Sequence, residues 1–88
     1  VSGWVDLGHG VQVRPYVQGG VPGHAGLLER HDCTTGREHT GMLPFDRGQG
    51  GPQVWRLVSS DPWTLDGSVL CHTCGLHGWI REGRWVPA

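Results

Sequence analysis

Glycine or proline interrupts nearly every window of ten residues in this 88-residue chain. In a helix interior each glycine costs ~1 kcal/mol and each proline ~3 kcal/mol relative to alanine, so long helices are excluded. One uninterrupted stretch, Leu27–Thr35, admits a short helical turn bracketed by Gly26 and Gly36. Elsewhere short apolar runs lie between turn signals, the pattern of strands. Candidate strands are Val11–Val17, Leu27–His31, Gly41–Phe45, Gln53–Ser59, Ser68–Leu70, Gly78–Arg81 and Arg84–Val86. Within one of them Val54, Arg56 and Val58 alternate with Trp55, Leu57 and Ser59. That period of two predicts a half-buried strand. Pro15 lacks an N–H for a ladder and demotes its strand to a sheet edge. Two apolar strands flank Glu82-Gly83, where glycine supplies the positive φ of a two-residue hairpin turn. The run DRGQGGP, residues 46–52, reads as a flexible loop. The expected fold is mostly β: a small Gly-rich antiparallel sheet with a C-terminal hairpin and little or no helix.

Composition matters here because a chain of this size holds only a small core. Glycine (16) and proline (6) make a quarter of the residues, a level that without any period can mark disorder. Five tryptophans argue the other way, since disordered chains are poor in large aromatics. The consistent reading is a folded, turn-rich domain that needs a covalent or metal staple. Three cysteines are an odd number and do not make a disulfide framework. No apolar run reaches the ~18–20 residues that span a bilayer. No basic-then-apolar leader stands at the N-terminus. The expected location is the cytoplasm, or a virion if the gene is a phage's. In a reducing compartment clustered Cys and His point to metal.

Cys71-His72-Thr73-Cys74-Gly75 has the form of a zinc knuckle. Two cysteines three apart let both thiolates reach one ion at ~2.3 Å. Backbone amides after the first cysteine can donate to its sulfur, and Gly75 suits the turn that follows. A redox pair of the thioredoxin kind needs a helix after the motif to depress the thiol. Here Gly75, Gly78 and a Trp79-Ile80 strand follow instead. Four ligands close a structural site, so others must come from upstream. Cys33 is the remaining cysteine, with His31 two residues before it and His39 six after. His-x-Cys on an extended segment places both side chains on one face. His77, three after Cys74, offers Cys-x-x-His. Cys33, Cys71 and Cys74 are the firmer three, His31 and His77 compete for the fourth place, and His39 trails. A Cys74–His77 pair with Cys71 as bystander is the other arrangement. The plainer readings are a small buried hydrophobe for Cys33 and a polar strand-start residue for His77. Residues 1–26 then read as a Gly-rich N-terminal arm or edge strand, and 27–88 as a small zinc-stabilised β-domain.

Other chemistry is weakly signalled. Cys33-Thr34-Thr35-Gly36-Arg37 is too short to wrap a phosphate and has no helix behind it. The carboxylates are scattered. Net charge is −1, which gives no electrostatic case for nucleic acid or an anionic membrane. Arg81 and Arg84 beside Trp79 and Trp85 are the nearest approach to a single-strand-binding surface. All seven cationic residues are arginine and asparagine is absent, a GC-rich coding bias that suits an actinobacterium or its phage.

The strings SVLCHTCGLHGWIREGRW, HDCTTGREH and VWRLVSSDPWTLDGS together resemble an uncharacterised family of small bacterial and phage proteins. Its members share an upstream Cys turn, a Trp-bearing strand and a closing hairpin with Cys-x-x-His before it and Gly-x-Trp at its end. The resemblance covers residues 30–86 and is most specific over Cys74–Trp85. It implies a zinc-binding-type β-domain, some of whose relatives resemble accessory components of bacterial ubiquitin-like conjugation systems. Cys33, Cys74 and His77 match the family's positions. The family's upstream turn usually holds two cysteines, where this chain has His31 and Cys33. The leading expectation is a non-enzymatic interaction protein stabilised by one zinc ion, with a protein partner or assembly such as a phage virion. An accessory factor of a ubiquitin-like conjugation system is the alternative. A zinc hydrolase with an open fourth position or a nucleic-acid-binding module stands behind both.

Overall fold

A computed structural model of the chain describes residues 3–20, 23–33, 36–45 and 54–88. Among them every regular element is a strand: β1 Val5–Gly8, β2 Val11–Tyr16, β3 Gly26–Asp32, β4 Glu38–Pro44, β5 Arg56–Ser60, β6 Trp63–Asp66, β7 Val69–Leu70, β8 His77–Arg81 and β9 Arg84–Pro87. They form a four-stranded antiparallel meander, β1-β2-β3-β4, a β5-β6 hairpin and a three-stranded sheet, β7-β8-β9. No helix among the described residues is long and apolar enough to cross a membrane.

The meander follows from alternation. Val11 and Val13 on β2, and Leu27, Glu29 and His31 on β3, face inward, while Arg14 and Asp32 face out. Leu7, Val11, Val13, Leu27 and Leu43 join Trp55, Trp63, Leu65, Val69, Ile80 and Trp85 in one cluster. The core therefore draws on all three sheets, with β6 against β8 and β1 against β9. Strand β3 begins as apolar core and ends in a buried carboxylate and imidazole. That change of chemistry along a single face leads into the site described below.

Several expectations meet a correction. Of the two readings of the stretch from Leu27, the strand holds and the helical turn does not, because the buried side chains of Leu27, Glu29 and His31 repeat every two positions. Strand β2 is an edge only over its last half. Strand β1 pairs with it from Val11 to Val13, and Pro15 lies past the end of that ladder. The alternation over residues 54–59 does not bury one face. A register shift between Leu57 and Ser59 breaks the period, and both Leu57 and Val58 are exposed. Strand β1 was not foreseen, since Leu7 is its one buried side chain. Strand β6 was missed too, although Trp63 and Leu65 face inward in alternation. Gln53 and the predicted loop 46–52 lie outside the described residues. Of residues 1–26, read as arm or edge strand, β1 forms the edge of the meander and β2 pairs along β3.

The C-terminal hairpin has the expected two-residue turn. Both Glu82 (φ 51°) and Gly83 (φ 72°) are in the left-handed region, as a type I′ turn requires. Glutamate is held there by tertiary bonds: its N–H donates to Thr64 Oγ1 at 2.9 Å, and the Gly83 N–H donates to the Trp63 carbonyl at 2.8 Å. Further along β8, Gly78 lets Trp85 lie across the strand. A Cβ there would sit 2.5 Å from the Val86 carbonyl oxygen and 2.7 Å from the Trp85 ring. Gly78→Ala is therefore expected to destabilise the fold by ~1–3 kcal/mol through overpacking. Urea unfolding monitored by tryptophan fluorescence checks this. The midpoint should fall with the slope unchanged, and an unaltered midpoint would contradict the packing described.

Candidate metal centre

Two turns bring the chemistry together. After β3 the chain turns at Cys33, whose N–H donates to the Arg37 carbonyl and whose carbonyl accepts from the Gly36 N–H, both at 2.9 Å. Between β7 and β8 a second turn is closed by the Gly75 N–H on the Cys71 carbonyl and the Cys71 N–H on the Leu76 carbonyl, both at 2.8 Å. Gly75 takes φ +78° there, which explains the glycine after Cys-x-x-Cys. The first turn presents His31 and Cys33, and the second presents Cys71 and Cys74. One ligand atom from each lies within 4.8 Å of the others.

The spacing fits a tetrahedral ion. Zinc with ~2.3 Å bonds to sulfur and ~2.0–2.1 Å to nitrogen places two sulfurs ~3.8 Å apart, and sulfur and nitrogen ~3.6 Å apart. Cys33 Sγ and Cys71 Sγ are 3.9 Å apart, and Cys74 Sγ and His31 Nε2 are 3.5 Å apart. His31 Nδ1 lies 2.7 Å from Glu29 Oε2. That bond leaves Nε2 as the donor aimed at the thiols, the carboxylate–histidine arrangement that orients ligating imidazoles. Glu29 and His31 are 3% and 5% exposed, so neither would be stable here without the other. Glu29 was not singled out from the sequence. Its signal was the Glu-x-His spacing on a strand, which puts both side chains on one face.

The charges respond to this packing. Burial, the largest influence on His31, opposes its charged form. The hydrogen bond and charge of Glu29, followed by hydrogen bonds to Cys71 and Cys74, outweigh it and raise the pKa to about 9. Cys71 moves the other way, from 9.0 to about 6. The Cys74 backbone N–H on its sulfur is the main cause. Burial opposes the shift, and the Thr73 N–H, His31 and the Cys74 thiol add to it. The knuckle amides thus prepare a thiolate.

The two other histidines weighed as ligands, His77 and His39, stand outside the group of four. His77 was expected to compete for the fourth place, but by that position the chain has entered β8, and alternation turns the ring outward onto Trp79 (centroids 5.8 Å apart). His39 lies across the ladder from His31, with ring centroids 5.4 Å apart. Beside the group, a cleft of about 270 Å³ opens between β4 and β7. It is lined by Glu29, His39, Met42, Ser68, Leu70 and His77. Ser68 immediately precedes β7, and His77 opens β8 directly opposite Leu70; both line this cleft. Among the described residues no serine hydroxyl is hydrogen-bonded to a histidine ring. At the hairpin, Trp85 is in the core and the Arg81 guanidinium sits 5.1 Å over the Trp79 ring. Trp85 is thus withdrawn from any stacking role, and Arg81 covers one face of Trp79.

The model of a protein family described as bacterial ubiquitination-like system serine protease (BubE) matches residues 14–88. The chain belongs to the BubE family. No curated protein and no solved structure matches it. The BubE match covers both turns, all four donors and Ser68, and it leaves out β1 and the start of β2. It agrees with the alternative expectation, a link to a bacterial ubiquitin-like conjugation system. It lends no support to the expected phage or virion role.

The two shifted groups have opposite pH signatures in the metal-free protein. His31, raised from 6.5 to about 9, contributes stability that is full below 6.5 and lost as pH rises through about 9. Cys71, lowered from 9.0 to about 6, contributes stability that is full above 9.0 and lost as pH falls through about 6. Between those limits the slopes oppose, so the melting temperature of the metal-free protein should be nearly flat. His31→Ala removes one slope, and its melting temperature should climb with pH from about 6 to 9. A variant as flat as the parent would show that Cys71 is not depressed.

Proposed function

We propose that this chain serves a bacterial ubiquitination-like system as a small peptidase domain whose fold is stapled by zinc. The carrying observation is the BubE match over a chain whose two turns meet in four Cys and His donors. Three thiols and one imidazole at tetrahedral spacing suit zinc better than harder cations, which prefer oxygen ligands. Four protein ligands form a closed structural site, which leaves no coordination position for water. This favours a structural ion over a zinc hydrolase. Metal loss would then lower the melting temperature of residues 27–88 without abolishing the fold, because metal binding adds to the folding free energy of small metal-binding domains.

The family's description supplies the second half of the reading, and the cleft beside the zinc site supplies a place for it. Ser68 is the proposed nucleophile and His77 its base. In that role His77 takes the Ser68 proton as Oγ adds to a peptide carbonyl. It then returns the proton to the leaving amine, and water repeats the sequence to release the acyl group. A ubiquitination-like system has several protein components, so partners are expected to be proteins.

Metal analysis of the purified protein tests the staple. One equivalent of zinc is expected, lost in Cys33→Ser, Cys71→Ser, Cys74→Ser and His31→Ala and retained in His77→Ala. Glu29→Gln should bind ~10–100-fold more weakly. Retention of zinc by the cysteine variants would rule the site out. A fluorophosphonate probe tests the chemistry. Ser68→Ala should cut labelling by at least ~10³-fold, and equal labelling of parent and variant would remove Ser68 from the role.

A further inference from the structure

The strand ladders show which backbone groups of β4 and β7 point away from their paired strands; of the β4 groups concerned, Met42 lines the cleft and Thr40 lies next along the same edge. On β4, the Phe45 N–H reaches the Ala25 carbonyl, and beyond the strand's other end the Arg37 carbonyl accepts from Cys33. Both bonds fall on odd-numbered residues, and in an antiparallel ladder successive residues alternate between the two sides. The N–H and C=O groups of Thr40 and Met42 therefore point away from β3. Pro44 obeys the same parity, since its carbonyl turns outward and accepts from the Trp55 N–H at 2.9 Å. Just after β7, the Cys71 N–H bonds to the carbonyl of Leu76, the residue before β8, so by alternation the groups of Leu70 and Ser68 point away from β8. The Ser68 carbonyl turns outward accordingly and accepts from Trp55 Nε1 at 2.9 Å.

Both strands are thus sheet edges, and no ladder joins them among the described residues. Trp55 stands between them at one end of the cleft, its backbone on β4 and its indole on the residue before β7. It is 8% exposed and packed in the core. Its two hydrogen bonds bridge the two edges at that end. The side chains at the free positions, Met42 and Leu70, are 59% and 46% exposed, an apolar contact on each wall. An open edge with outward N–H and C=O groups is a template for one more strand.

We infer that the cleft between β4 and β7 binds an extended, unfolded peptide segment as an added strand, hydrogen-bonded to the outer edge of β4 at Thr40 and Met42. This deepens the peptidase reading and rests on it for the meaning of the bound segment: the substrate is a flexible tail or linker, and not a folded surface. The added strand passes Ser68 and His77 on the opposite wall. Affinity comes from main-chain bonds, so the edge tolerates many sequences, while Met42 and Leu70 favour apolar side chains at alternate positions.

The test uses Ser68→Ala protein, so that binding is read without turnover, and a pool of short randomised peptides with blocked termini as probe. Hydrogen exchange of the Thr40 and Met42 amides should slow at least ~10-fold on adding the pool. Thr40→Pro removes an outward N–H and leaves the β3 side of the ladder intact, a place where an edge strand accepts proline. It should weaken binding about tenfold while zinc content and melting stay near the parent's. A pool with every amide N-methylated should not bind, which tests the same bonds from the peptide side. Unchanged affinity in a folded Thr40→Pro protein, binding of the methylated pool, or no protection at Thr40 and Met42 would each overturn the inference. The peptidase reading is judged separately: protected amides without fluorophosphonate labelling keep the strand slot and discard Ser68 as nucleophile. Labelling without protection does the reverse.

Discussion

Everything in this fold turns on the meeting of two tight turns that lie far apart in the chain. Cys33 and Cys71 are 38 residues apart in sequence, yet their sulfurs are 3.9 Å apart. Holding them there closes a long loop, a cost that grows only slowly with loop length but that a thin core cannot easily meet. The four-stranded meander reaches the cluster through the end of β3, and the three-stranded sheet reaches it through the turn between β7 and β8. The apolar core joins the same sheets from the other side, through Val11, Leu27, Ile80 and Trp85. Core and cluster thus clamp the sheets at two places, which a domain with a quarter of its residues as glycine or proline needs.

The cluster is preorganised electrostatically. A buried carboxylate next to a buried imidazole is a poor source of stability taken alone, because desolvation offsets most of the attraction. Its value here is orientation: Glu29 fixes which ring nitrogen of His31 faces the thiols. The knuckle amides do the same for Cys71, holding its sulfur where a charge is welcome. Such arrangements spare a metal site most of the reorganisation it would otherwise need on binding, as with other fixed dipoles in proteins.

The fold class was readable because the governing signals are local. Glycine and proline forbid helices at short range, Glu82-Gly83 sets its own turn, and Cys71–Gly75 sets its own knuckle. The site was readable only in part because ligand choice is not local. His31 and His77 have equal claims when judged by spacing from a cysteine. The structure separates them by strand parity: β3 turns His31 inward with Glu29, and β8 turns His77 outward with Trp79. Glu29 escaped notice because its role depends on burial, which a single carboxylate in a sequence does not announce. Strands β1 and β6 were missed for a related reason. Each has one or two inward side chains, and their pairing is decided by neighbours. The even alternation around Val58 misled in the opposite direction, since a register shift inside β5 interrupts a pattern that looked regular.

Strand β7 is only two residues long, with Ser68 at one end and Cys71 at the other. So short a ladder has almost no means of defending its own alignment. A slip of one residue would turn Val69 out and Leu70 in and would carry Ser68 to the opposite face of the sheet. The thiol of Cys71, held in the cluster, acts as the index pin that prevents this. Which face of the domain carries the serine is thereby decided three residues away, by sulfur.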